Sequence, residues 1–138
     1  MDVLFEGILN LFDTVPHSDF YDSISGELHL VDAPQDTAFP YVVFFLVTHI
    51  HDWMFDPEEY EIIRIQFNAH SKDTSGLEIT DICNKLIAQF DDCEDSMTVA
   101  GYNVVWFRRF STIFPKPRPA GNKWQVSVTY NVLLEKSD

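Results

Sequence analysis

The apolar positions of this chain change their period several times, and each change marks an element. Leu4, Ile8, Leu11 and Phe12 recur at helical spacing after Asp2, which predicts a short N-terminal helix with an acidic cap. Val15-Pro16 ends it, because the residue before a proline is pushed out of the helical region. Ser18 to Ser25 is polar with scattered aromatics and reads as loop, and Glu27 to Val31 as a short strand. Asp32 to Thr37 has turn chemistry, and Pro40 marks the entry to the next strand.

Tyr41 to Ile50 is apolar on both alternating faces, with Val43, Phe45 and Val47 on one and Val42, Phe44 and Leu46 on the other. A strand buried on one side would alternate with polar residues, so this pattern predicts cover on both sides, the second from the first helix or a neighbouring subunit. Asp52 to Glu59 reads as an acidic loop. Glu61 to Ala69 alternates again, Ile63, Ile65, Phe67 and Ala69 against Arg64, Gln66 and Asn68. Ser75 and Glu78 have the spacing of a capping box, and the stripe Ile79, Ile82, Cys83, Leu86, Ile87 and Phe90 predicts a long helix behind it.

The last third is β in character: Tyr102 to Ile113 is long and aromatic, and Trp124 to Leu134 alternates with Trp124, Val126, Val128, Tyr130 and Val132 inward. Between them, Phe114 to Lys123 is a Pro-rich loop with the densest basic charge in the chain, Lys116, Arg118 and Lys123. The order of elements predicts an α+β fold in one domain spanning 1–138. Its mostly antiparallel sheet has about five strands, with one long helix packed on it and a short N-terminal helix. There is no internal repeat.

Composition narrows the classes. At 138 residues with 46% apolar residues, the chain is long enough to bury a core without staples. No apolar run approaches the length of a membrane span, and the N-terminus lacks the basic region of a secretory leader, so assembly in the cytoplasm is expected. Two cysteines, Cys83 and Cys93, make no disulfide framework. The net charge of −13 argues against nucleic-acid binding in the usual sense. It suits plain solubility, or a passage through which a polyanion slides without sticking.

Candidate chemistry is sparse. His49 and His51 share a strand face and His70 ends the next strand, a trio that a transition metal would need to find close together. Asp52, Asp56, Glu58 and Glu59 lack the loop spacing of a calcium motif and read as a solvated acidic loop. No nucleophile motif and no phosphate-cradling glycine loop is present. The expectation is therefore no catalytic residue, no metal and no cofactor. Arg108 and Arg109 point to opposite faces if their segment is a strand, so one would reach solvent or a carboxylate of a neighbouring subunit and the other, if buried, would need a paired acid.

Ala33-Pro34-Gln35 followed by Pro40-Tyr41-Val42-Val43-Phe44 resembles the A-P-Q … P-Y-V-V signature of phage tail-completion (tail-terminator) proteins. Ile63-Arg64-Ile65-Gln66-Phe67-Asn68-Ala69-His70-Ser71, leading into a helix, is similar to that family's R-V-Q-F … S strand and the long helix behind it. The resemblance implies a structural virion protein that closes into a ring, typically hexameric, on the head-proximal end of a tail tube. Its partners would be copies of itself, the tail tube protein and a head connector or stopper protein, with DNA passing through without specific binding and no membrane involved.

The corresponding interface candidates are Tyr41, Val42, Phe44, Arg64, Arg108, Arg109, Lys116, Arg118 and Lys123, with Asp52, Asp56, Glu58 and Glu59 as a DNA-facing acidic loop. The bare edge of the final strand is a further candidate. Two alternatives stand beside this reading. One is another component of the head–tail neck. The other is a metal-binding protein built on His49, His51 and His70.

Overall fold

The computed structural model describes residues 2–53, 59–72, 75–113 and 123–137. The apolar stripe at the start forms α1 (Asp2–Phe12), which buries Leu4, Ile8 and Phe12. Within the segment expected to be loop, a single helical turn, α2 (Asp19–Ser23), is capped by the Ser18 hydroxyl, which accepts the Tyr21 N–H at 3.1 Å. A polar stretch with one good N-cap and one aromatic to bury (Phe20) is enough for a turn of helix, too short to give a period.

Five strands follow: β1 (Leu28–Leu30), β2 (Tyr41–Trp53), β3 (Glu59–Ser71), β4 (Tyr102–Ile113) and β5 (Trp124–Lys136), with α3 (Leu77–Phe90) between β3 and β4. They make one sheet in the order β1-β2-β3-β5-β4, α+β in class and mostly antiparallel. Two expectations about strand placement change. β1 pairs with β2 parallel, over Val42 to Phe44 only, because the turn-rich segment 31–40 carries the chain back to the end it left. The final strand is not an edge: β5 lies between β3 and β4, and the margin belongs to β4.

The core lies between one face of the sheet and the helices. Ile63, Ile65, Phe67 and Ala69 of β3 and Val126, Val128, Tyr130, Val132 and Leu134 of β5 point into it, as their alternation predicts. Ile79, Ile82, Cys83, Leu86 and Phe90 of α3 meet them. Much of the phenylalanine content forms a connected chain of rings: Phe44–Phe67 at 5.6 Å, Phe67–Phe90 at 4.9 Å, Phe90–Phe107 at 6.1 Å and Phe107–Tyr130 at 4.9 Å between centroids. Truncating any of these buried rings to Ala costs roughly 3–5 kcal/mol.

All three helices pack on this inner face, and no described element covers the outer one. The helices therefore cover β2 on one face only. Val42 and Phe44 are buried on that face and Phe5 of α1 packs edge-on to Phe44 at 6.0 Å, Val43 on the other face is also buried, and Leu46, Val47 and Ile50 remain exposed. A bulge between Leu46 and Thr48 explains why the alternation fails there. One extra residue flips the parity, so that Thr48 stands opposite Arg64 and His49 opposite the buried Ile63.

The capping box also fails. The N-cap of α3 is Gly76, with no side-chain cap, and Glu78 instead accepts from the Ser71 hydroxyl at 2.7 Å, tying the first turn of the helix to the end of β3.

Candidate interaction surface

The outer face of the sheet is where unspent chemistry collects. The register places Arg64 (β3), Asn131 (β5) and Arg108 (β4) side by side in one row. Arg64 Nε donates to Asn131 Oδ1 at 3.0 Å, and its guanidinium carbon lies 3.9 Å from the centre of the Phe110 ring. The Arg108 guanidinium carbon sits 5.0 Å from the Trp106 ring centre. Lower in the same face, Gln66 and Ser127 both donate to Asn68 Oδ1 at 2.8 Å. A wet sheet face needs no such network, but once formed it fixes the rotamers of the long side chains and leaves their charged tips available.

β4 supplies most of the exposed part. Phe110 is 56% exposed and Ile113 65%, and a bulge between Arg109 and Ser111 turns Phe110 onto the Arg64 side chain. Arg109 turns to the inner face, where its Nη2 lies 3.5 Å from Asp91 Oδ2. Asp91 also accepts the buried Tyr130 hydroxyl at 2.6 Å. Desolvation first, and that bond second, hold the Tyr130 phenol well above its ordinary range. Arg109 therefore has its carboxylate within the chain, at the end of α3.

A second cluster lies at the sheet end where β2 begins. Lys72 Nζ is 4.3 Å and Lys123 Nζ 5.6 Å from the Phe39 ring centre. Tyr41 stacks on His70 and lies tilted against Phe39, with ring centroids 4.9 Å from each. Asp32 to Phe39, Tyr41 and the two lysines line an open cavity of about 610 Å³.

Of the interface candidates, Arg64 and Arg108 come together on one face, Tyr41 and Lys123 at one end, and Arg109 is engaged inside the chain. Val42 and Phe44 are fully buried, so their side chains belong to the core and not to a contact surface. Lys116, Arg118, Asp56 and Glu58 lie outside the described residues. Asp52 and Glu59 stand at the facing ends of β2 and β3, and nothing is described of their side chains. Trp106 and Phe110 were not among the interface candidates, although Trp106-x-Arg108-x-Phe110 spells out the two-residue period of one strand face.

The histidine trio does not assemble. His49 faces inward and lies 3.2 Å from Glu61 Oε2. His70 stands opposite Tyr41 on the outer face, eight strand positions away and on the order of 25 Å along the sheet. His51 contributes no described side chain. Among the described residues, no three His, Cys, Asp or Glu side chains gather as a metal would require. Burial pushes the Cys93 thiol up to about 12 and raises that of Cys83, so neither is poised as a nucleophile at neutral pH.

No protein-family model matches the sequence, and no curated protein sequence matches it either. Solved structures do share the fold. One, a chain from the virion of a native gene transfer agent (GTA) particle, has a TM-score of 0.73 at 6% sequence identity, over 95% of this chain and 96% of its own. Another, whose name carries no role, has a TM-score of 0.56 at 15% identity, over 95% and 94%. The likeness is one of fold, and it runs from end to end: this chain is built like a component of a gene-transfer-agent virion.

Proposed function

We propose that this chain is a non-enzymatic structural protein of a phage-like virion, and within that class a tail terminator. Its fold agrees over nearly its full length with that of a chain from a gene-transfer-agent virion, and this observation carries the coarser reading. The finer reading rests on the resemblance of Ala33-Pro34-Gln35 … Pro40-Tyr41-Val42-Val43 and Ile63-Arg64-Ile65-Gln66-Phe67 to tail-completion proteins.

In this role the chain acts by closing a ring, typically of six copies, on the head-proximal end of the tail tube. It meets the tube protein on one side and the head connector or stopper on the other. Ring closure is heterologous, so each copy uses two different patches and the rotation must close. The outer sheet face, which no described helix covers, and the margin of β4 are available for such patches. The net charge of −13 suits a passage for DNA, since a wall of like charge lets a polyanion slide past without binding. The site of action is the tail–head junction, reached from the host cytoplasm where virions assemble.

The test is a tube-growth assay. The cognate tail tube protein is polymerised with and without this chain, and tube lengths are measured. Termination predicts that growth stops at shorter, uniform lengths with the chain bound at one end. Tubes of unchanged length carrying none of it would refute the finer reading.

A further inference from the structure

Beside the arginine row on the outer sheet face runs an apolar one. The register aligns Ile50 (β2), Ile62 (β3), Leu133 (β5) and Trp106 (β4) across four strands. No described helix lies over them, and Ile50 is 56% exposed. The extra residue at each β4 bulge adds apolar surface to that margin, since Val105 is exposed like Phe110. The two rows hold Arg64 and Arg108 and no acid, and Glu135 follows one row further on. An apolar band bordered by arginines has the make-up of an interface centre with a charged rim.

The helical side of the molecule has the opposite charge. The helices carry Asp2, Glu6, Asp19, Asp22, Glu78 and Asp81, and their one Lys or Arg, Lys85, is paired with Asp81 at 2.8 Å. On α1, Glu6 and Asn10 are exposed, as is Asp13 just beyond it. The Asp13 N–H donates to the Leu9 carbonyl at 2.9 Å, so the helical course runs on through it.

Two spacings then agree. Glu6 and Asp13 lie two turns apart on one side of the helix, roughly 10 Å along its axis. Arg64 and Arg108 flank Asn131, two strand spacings or roughly 10 Å apart at the backbone. Asp13 also stands at the negative end of α1, whose last turn has no basic residue, so a cation brought there from outside is favourable. Val15, 79% exposed, follows it.

We infer that the outer sheet face of one copy seats α1 of a second copy, Glu6 and Asp13 pairing with Arg64 and Arg108 and Val15 lying against the apolar row. A second copy is favoured over nucleic acid because a chain of net charge −13 repels a polyanion. It is favoured over another protein because the matching pair of acids is present on the chain itself. Each guanidinium is set against a ring, Arg64 on Phe110 and Arg108 on Trp106, and takes its carboxylate through paired N–H donors. The contact joins the front of one subunit to the back of the next, the heterologous geometry from which rings close. For the number of copies and their place on a tube, the inference rests on the ring-forming reading above.

Sedimentation velocity of the full chain, over a range of protein and salt concentration, tests the contact without tubes. Wild type should self-associate, more weakly as salt rises. Ile50→Glu, the pair Arg64→Glu and Arg108→Glu, and the pair Glu6→Lys and Asp13→Lys should each weaken association by roughly tenfold or more. Mixing the two charge-reversed proteins in equal amounts should restore oligomers, because each then meets its complement. Asp19→Lys with Asp22→Lys, the same charge change on α2, should associate at least as well as wild type.

Circular dichroism and melting temperature confirm that each variant is folded. Glu6 and Asp13 are exposed, so their reversal reads the contact even where the arginine pair is destabilised. A wild-type chain that stays monomeric at every concentration overturns the inference. So does association that survives reversal of Glu6 and Asp13, which would set two sheet faces together instead, or an α2 reversal that weakens it equally, or a mixture that recovers nothing. Charge-swapped oligomers that ignore tail tubes would sink the terminator reading and leave the contact standing. Tubes capped by the Glu6→Lys, Asp13→Lys protein would do the opposite.

Discussion

At the scale of single residues, two neighbouring arginines have opposite assignments. Arg109 reaches Asp91, which also holds the Tyr130 hydroxyl inside the core, while Arg108 faces outward over Trp106. Arg109→Glu puts a carboxylate beside Asp91 and should lower the urea midpoint, whereas Arg108→Glu should leave it within error. Equal losses would contradict the assignment. Tyr130→Phe removes a bond to a charged acceptor at a buried site and should cost about 1.5–3 kcal/mol in the same measurement.

Gly7 belongs to this scale as well. A Cβ there would sit 2.7 Å from the Thr98 carbonyl oxygen and 3.2 Å from Val99 Cγ2. Gly7→Ala should therefore destabilise by about 1–3 kcal/mol, although alanine is the better helix former by about 1 kcal/mol. A stabilised variant would mean that α1 does not approach so closely.

Cys93 gives a pH prediction. Its thiol is raised by burial to about 12, so the folded state keeps the proton while the unfolded chain loses it near the ordinary value of 9.0. The contribution is complete below pH 9 and is lost as pH rises towards 12. Cys93→Ala should flatten the decline of melting temperature over that window, and an unchanged slope would count against a buried, protonated thiol.

At the scale of elements, the sequence pattern was legible where one face is buried and period alone decides. α1, α3, β3 and β5 follow their alternation or stripe, and the inward residues named for β5 are the buried ones from Val126 to Val132. It failed where a single residue or a distant partner decides. The bulge at Val47 reversed the faces of β2, and no local signal announces a bulge in an all-apolar run. The order β3-β5-β4 comes from pairing across the whole chain, so the edge was assigned to the wrong strand. The surface row Arg64–Asn131–Arg108 was out of reach for the same reason, since its members come from three strands.

The start of α3 is the instructive case. Ser75-x-x-Glu78 has the sequence form of a capping box, yet Glu78 turns to the Ser71 hydroxyl. Ser71 is fully buried at the end of β3, and a buried hydroxyl takes precedence over a cap that water can replace. Ser71→Ala should cost about 1 kcal/mol or more, while Ser75→Ala should stay within about 0.5 kcal/mol. The reverse order in chemical denaturation would restore the capping box.

At the scale of the whole molecule, the helices take one face of the sheet and leave the other to water or to another chain. A sheet with one open face, long strands and charges sorted by position suits a part that is completed by its neighbours. Among the described residues, no helix is long and apolar enough to cross a membrane. In the assembly proposed here, the fold supplies the rigid body and the open sheet face offers room for neighbouring copies. The end-to-end likeness to a chain of a gene-transfer-agent virion is one of fold.

The most direct test of this account is negative-stain electron microscopy of the purified protein, alone and mixed with preassembled cognate tail tubes. The account predicts rings of one size, or caps at one end only of each tube. A protein that stays monomeric and leaves both tube ends bare would contradict it.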